Sequence, residues 1–254
     1  KKENHRNDKR KNGRSQKILI SNMKGGYKMK QITRRQFVAK SSMVATGLIG
    51  AGAIGFGVIS PRSVFADDVK FIESSCESRG RKILVAYESY CGSTSKVAQG
   101  IADVFCKQGA KVDLKHIENV IDISSYDGVV IGSAVKSASW YPSAISFVKK
   151  NQNQLKQIPV IYFLTCLALY YDTEEANQTA KNYFNGVLNE VPEVKPREMQ
   201  AFAGVLDYSK LNMMFKIVMK SKMKKKGIPE GDFRDFEKIQ SWALKTAWPR
   251  LATS

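Results

Sequence analysis

An alternation constrains this chain more than any other feature. Short, almost wholly apolar runs at 82–87, 128–134, 158–166 and 199–206 are separated by stretches whose apolar residues recur at helical spacing. Val97, Ile101, Val104 and Phe105 mark one helix over 94–109. Ile145, Phe147 and Val148 mark a second over 142–155, opened by Pro142. Two more are expected at 173–188 and 232–247, the first with Glu174 and Glu175 in its opening turn, where the helix dipole favours acids. Residues 110–117 alternate Val112 and Leu114 with Lys111, Asp113 and Lys115, as a strand with one wet face does. Strands that are apolar on both faces must be covered on both sides. The pattern therefore predicts an α/β fold, a five-stranded parallel sheet with helices on both faces. Ligands of such sheets sit at the C-terminal strand ends, where the strand order switches direction.

The first strand runs into Ser89-Tyr-Cys-Gly-Ser-Thr94, and that loop runs straight into a helix. A helix N-terminus leaves backbone N–H groups unpaired and carries a partial positive charge. Ser89, Ser93 and Thr94 add hydroxyls, and Gly92 lets the backbone approach an anion. An ordinary capped helix start accounts for Thr94, but not for a glycine among so many small or polar residues. The loop lacks the Gly-Lys-Ser/Thr ending of a triphosphate loop and the three-glycine dinucleotide fingerprint. Tyr90 and Cys91 complete the candidate cradle.

Tyr87-Glu-Ser-Tyr-Cys-Gly-Ser-Thr-Ser-Lys-Val-Ala98 resembles the flavodoxin signature, in which a loop of this form holds the phosphate of FMN. Later stretches resemble one branch, the flavodoxin-type menaquinone-dependent protoporphyrinogen dehydrogenases. They are Val129-Val-Ile-Gly-Ser-Ala134, Tyr141-Pro-Ser-Ala-Ile-Ser-Phe-Val-Lys-Lys150, Phe202-Ala-Gly-Val-Leu-Asp-Tyr208 and Phe215-Lys-Ile-Val-Met-Lys220. The resemblance covers most of 81–250. It implies the flavodoxin-like strand order 2-1-3-4-5, FMN as cofactor, a quinone acceptor and membrane association. That branch also carries an insertion before its last helix, and 207–231 stands in that place.

The flavin ring needs flat apolar neighbours and a polar edge. Ser133, Ala134 and Val135 end the third strand, and Trp140 and Tyr141 follow in the next loop. Either aromatic could cover the ring, and either could pack the helix that begins at Pro142. Thr165, Cys166 and Leu167 end the fourth strand, where backbone amides are expected to meet the ring edge. Cys91 and Cys166 are expected as small buried fillers near the flavin.

Charge divides the chain. Residues 1–66 carry 15 Lys/Arg against two acids, leaving a net +5 to the other 188 residues. The overall +18 is thus mostly a tail, and it gives no reason to expect a nucleic-acid partner. Thr33-Arg-Arg-Gln-Phe-Val-Ala-Lys40 matches a twin-arginine signal, followed by a charge-free run over 41–61 with five glycines. Val64-Phe65-Ala66 offers a cleavage site after Ala66, with an uncleaved anchor as the other outcome. Met23 and Met29 are the candidate starts. The expected organisation is a basic extension and signal over 1–66, a linker over 67–80, and a flavodoxin-like domain over 81–254. Such a signal implies the twin-arginine translocase as partner and work outside the cytoplasm, at or anchored to a membrane. Two histidines, His5 and His116, are too few for a three-histidine metal site, and no metal ligand is assigned. Cys76, Cys91, Cys106 and Cys166 show no Cys-x-x-Cys spacing and suggest neither a zinc site nor a disulfide framework.

The insertion places Leu211, Met214, Phe215, Val218 and Met219 at helical spacing among Lys210, Lys216, Lys220, Lys222, Lys224, Lys225 and Lys226. A basic apolar helix over 210–226 suits an anionic membrane surface, or packs on the domain with its lysines in water. The expected function is an FMN-dependent oxidoreductase that passes electrons from a reduced substrate, with protoporphyrinogen IX the specific version, to a quinone or other small redox partner. The alternative is an exported flavodoxin that carries electrons without a substrate of its own. No side chain is assigned a catalytic role, because the chemistry belongs to the flavin.

Overall fold

The computed structural model describes the backbone of Lys28–Ile32 and residues 71–253. The twin-arginine motif, the charge-free run and Ala66 lie outside the described residues.

Five parallel strands form the centre of one sheet. They are β3 (Lys82–Glu88), β4 (Lys111–His116), β5 (Gly128–Lys136), β7 (Val160–Cys166) and β8 (Glu198–Ala203), with β6 (Ser139–Trp140) folded back on β5. Their spatial order is β4-β3-β5-β7-β8, which is 2-1-3-4-5 for the parallel set, as expected. The register runs Tyr87 opposite Gly132 and Ser133 opposite Leu164, so β5 and β7 run on past the end of β3, to Lys136 and Cys166. Ile83 to Tyr87 in β3 and all of β7 are buried, as strands covered on both faces must be. Gly132 sits at the centre because the Phe163 ring lies where its Cβ would be.

Two apolar cores flank the sheet. On one side α1 (Ser93–Lys107) lays Val97, Ile101, Val104 and Phe105 against Ile83, Val85 and Val130. The C-terminal helix joins it through Ile239, Trp242 and Leu251. On the other side α2 (Pro142–Lys150), α3 (Gln152–Leu155), α4 (Glu174–Asn182) and α5 (Asn185–Glu190) contribute Phe147, Val148, Leu155, Ala180 and Val187. The helices expected at 142–155 and 173–188 are each broken once, at Asn151 and at Tyr183–Phe184. The last strand is likewise broken at Gly204, so that β9 (Val205–Leu206) leaves the sheet. The closing helix starts later than expected, at α7 (Phe236–Trp242), capped by the Asp235 side chain. It continues through a π turn, Ala243–Ala247, into α8 (Trp248–Ala252). The wide turn ends two residues before Pro249, which has no N–H to give a regular helix.

Two expectations are corrected here. Residues 71–76, expected as part of a linker, form β2 (Phe71–Cys76), antiparallel to β4 at the sheet edge. Glu73, Ser74 and Ser75 gave this strand a polar composition, but an antiparallel strand can have one wet face, and Ile72 with Ser74 supplies its buried side. On its outer side β2 pairs with β1 (Lys28–Ile32), inside the stretch set apart as a basic extension. Second, Cys76 and Cys106 form a disulfide, contrary to the expectation drawn from spacing. One lies at the end of β2 and the other in the last turn of α1, 30 residues on. Only the placement of β2 beside α1 brings them together, so no sequence motif marks the pair.

Candidate functional site

The loop 89–94 leaves β3 at the carboxyl edge of the sheet and enters α1 through Gly92, whose φ of 84° is left-handed. A side chain at that φ is strained, which explains the glycine. No side chain caps α1, and its first turn holds no acid, so its N–H groups remain available to an anion. Ser89 is 2% exposed and its hydroxyl has no partner. A buried hydroxyl without a bond is costly unless something else completes it. A phosphate at the start of α1 would do so, and the residues present fit that group. Ser95 fastens the loop by donating from Oγ to the Gly92 carbonyl at 2.6 Å. Thr94 and Thr165, both buried, pair hydroxyl to hydroxyl at 2.8 Å and tie the cradle to the end of β7.

The aromatic residues divide. Tyr141 faces Tyr90, with ring centroids 5.9 Å apart, and Lys136 Nζ lies 5.1 Å from the Tyr141 ring. These two rings flank the mouth of the loop. Trp140 does not join them, which corrects the expectation that it could cover the flavin. It is buried against Tyr162 and Phe184, at 4.8 and 6.0 Å between centroids. The cause is a tight hairpin. Ser137 and Ala138 both have positive φ, 51° and 59°, and turn β6 back on β5 with Trp140 opposite Val135. Neighbouring residues then point to opposite sides, so Trp140 goes to the core and Tyr141 to the site. Ser133 holds this hairpin: its hydroxyl donates to the Ala134 carbonyl at 2.7 Å and accepts from the Tyr141 N–H at 2.9 Å.

Cys91 and Cys166 are unpaired thiols. Burial, helped by nearby Asp207, pushes the Cys91 thiol up to about 12, and burial also raises Cys166. Both stay protonated at neutral pH and are poor nucleophiles. The nearby N–H groups of Leu169 and Ala168 offset part of that rise at Cys166. Leu167 joins Tyr90, Cys91 and Tyr170 in a small apolar cluster with Leu206 of β9 and with Tyr208, Leu211, Met223 and Ile228 of the insertion. The insertion thus stands directly on the cradle. Its helix is α6 (Met213–Lys226), closed at the base by β9 pairing with β10 (Gly231–Asp232).

Sequence reasoning missed Arg234 and the group behind the loop. Arg234, held by a forked bond to Asp232, donates to the Ser93 carbonyl at 3.3 Å. Behind the loop, buried Glu88 meets His116 and Ser143. Glu88 lay inside the quoted motif, but its partners come from other elements and left no local signal.

A strand-end loop with open helix amides and neighbouring aromatics, at the switch point of a 2-1-3-4-5 sheet, has the geometry to take a flavin phosphate and ring. The chain belongs to the flavodoxin domain family, which matches residues 84–231, and its cofactor is FMN. It is similar to protoporphyrinogen IX dehydrogenase [quinone] of Escherichia coli (strain K12), at 23% identity over 174 residues, covering 65% of this chain and 94% of that protein. Among solved structures it is similar to a flavodoxin from the domain Archaea, at 11% identity and a TM-score of 0.43, covering 66% of this chain and 98% of that one. It is also similar to a flavoprotein from Lactobacillus acidophilus NCFM in complex with FMN, at 18% identity and a TM-score of 0.36, covering 48% of this chain and 93% of that one.

Proposed function

We propose that this chain is an FMN-dependent oxidoreductase that takes electrons from a reduced substrate and delivers them to a quinone at a membrane surface. One observation carries the reading beyond flavin binding. The helix α6 leaves Met213 80%, Met214 75%, Ile217 66% and Val218 55% exposed, beside Lys216, Lys220, Lys222 and the run Lys224–Lys226. Exposed apolar residues among lysines suit the headgroup boundary of an anionic bilayer. The sequence pattern led us to expect Leu211, Met214, Phe215, Val218 and Met219 on one face. Instead Leu211 and Met223 are buried in the insertion's own core with Met219 packed against it, while Met214 and Val218 point outward with Met213 and Ile217. None of the described helices is long and apolar enough to cross a membrane, so contact through this region is contact with a surface.

The bound flavin supplies the transfer of electrons between the two small molecules. The protein's own part is to hold the phosphate at Ser89 and the α1 amides, and to flank the ring with Tyr90 and Tyr141. It also sets the insertion beside the opening, where a lipid-dissolved quinone would arrive. The similarity to a quinone-dependent protoporphyrinogen dehydrogenase supports a quinone acceptor and makes protoporphyrinogen IX the first donor to test. For the place of work we propose the outside of the cytoplasmic membrane, reached by the twin-arginine translocase. The Cys76–Cys106 disulfide supports this, since such bonds persist in oxidising compartments.

The deciding experiment is an anaerobic assay of the FMN-loaded protein with protoporphyrinogen IX and menaquinone in anionic vesicles. Donor-dependent quinone reduction is expected. Absence of turnover with any small donor, together with rapid electron exchange with a redox protein, would overturn the enzyme reading in favour of a carrier.

A further inference from the structure

Glu88 is a buried carboxylate immediately before the phosphate cradle, and no part of the flavin chemistry requires it. Buried oxygens of this kind need hydrogen-bond partners. Three donors from three elements engage them. The Ser89 N–H donates to Oε1 at 2.9 Å. His116 Nε2, at the end of β4, lies 3.2 Å from the same oxygen. Ser143, in the first turn of α2, donates from Oγ to Oε2. The Glu118 N–H donates to His116 Nδ1 at 3.4 Å, which places a ring proton on Nε2, facing the carboxylate. Phe71 of β2 packs on the imidazole with centroids 4.5 Å apart, and the Tyr87 ring meets it edge-on at 5.5 Å.

This arrangement has a directional result. The Ser89 amide is taken up by Glu88, so its hydroxyl is the group left for an anion. That hydroxyl is buried and has no partner among the described residues. We propose that Glu88 is a positioning residue for the cofactor phosphate. By fixing the Ser89 backbone between β4 and α2, it aims the Ser89 hydroxyl into the cradle and holds the loop open before FMN arrives. The inference rests on the reading of 89–94 as a phosphate site, and it adds a residue that never touches the cofactor.

The test compares FMN with riboflavin, which has the same ring and no phosphate, using the purified apoprotein and flavin fluorescence titration. Glu88→Ala is expected to weaken FMN at least tenfold and to leave riboflavin unchanged. Glu88→Gln keeps an acceptor for the Ser89 N–H and is expected to recover most of the FMN affinity. If Glu88→Ala does not fold, Ser143→Ala serves instead, with an expected threefold loss confined to FMN. Parallel loss of both ligands in the variant used would show a merely structural role and overturn the inference. So would an unchanged preference for FMN, or a Glu88→Gln protein as weak as the Ala variant. Failure of the cradle reading itself would look different, because the unmodified protein would then bind riboflavin as tightly as FMN.

Discussion

The exposed face of α6 can be removed without touching the fold. In the double variant Ile217→Ser with Val218→Ser, both side chains change where they are mostly in water, at 66% and 55% exposure. Full burial of such a side chain is worth about 1.5–3 kcal/mol. Scaled by the exposed fraction, the two together would contribute roughly 2–3.5 kcal/mol to insertion at a bilayer boundary. Since about 1.4 kcal/mol is tenfold in an equilibrium, the partition coefficient should fall by roughly 30- to 300-fold. The assay is sedimentation with vesicles containing an anionic lipid, at fixed salt, with FMN bound. Soluble flavin activity and Tm should stay close to those of the unmodified protein, because surface changes of this kind move stability by about 0.5 kcal/mol or less. Unchanged partitioning of the double variant would refute the apolar part of the docking argument. If binding vanished only with added salt, the lysines alone would be responsible.

Four further outcomes follow from the geometry. Ser89→Ala should weaken FMN by about tenfold or more while sparing riboflavin, as expected for losing a hydrogen bond to a charged group worth about 1.5–3 kcal/mol; paired titrations check this. Trp140→Ala should cost about 3–5 kcal/mol of stability yet leave flavin affinity per folded molecule unchanged, whereas Tyr141→Ala should do the reverse; denaturant melts and fluorescence titrations separate them. Cys76→Ser with Cys106→Ser opens a loop of 30 residues and should remove about 2–4 kcal/mol, seen as a Tm lower by roughly 5–15 °C. The Cys91 thiol, raised to about 12 by burial, should react slowly with iodoacetamide at neutral pH. Because its proton is held more tightly in the folded state, Cys91 contributes no loss of stability below the ordinary thiol range and a growing one as pH rises toward 12.

How much of this was legible in the sequence depended on how local each cause was. The parallel sheet and its order were legible because β3, β5 and β7 are buried on both faces and so carry unbroken apolar runs. The strand–loop–helix geometry of 89–94 was legible because Gly92 and the start of α1 are set by neighbouring backbone. Trp140 and Tyr141 were not separable, since a one-residue step at the Ser137–Ala138 turn decides which ring faces the site. β2 was hidden because an antiparallel strand with one wet face needs few apolar residues, and its buried side is Ile72 with the polar Ser74. The disulfide, the bond from Arg234 to Ser93 and the group around Glu88 join residues 30, 141, 28 and 55 positions apart, and only the folded chain brings them together. On α6 the helical spacing was correct, but which apolar residues turn inward was set by the cluster beneath it, built from Tyr90, Leu167 and Tyr170.

The central claim is that this flavin site exchanges electrons with a quinone held in a membrane. It is tested most directly by reducing the FMN-loaded protein anaerobically and mixing it with anionic vesicles, with or without menaquinone. The return of the oxidised flavin absorbance is then followed in time. Rapid reoxidation that requires menaquinone, and that slows when Ile217 and Val218 are replaced by Ser, is the predicted result. Reoxidation at the same slow rate with and without the quinone would contradict it.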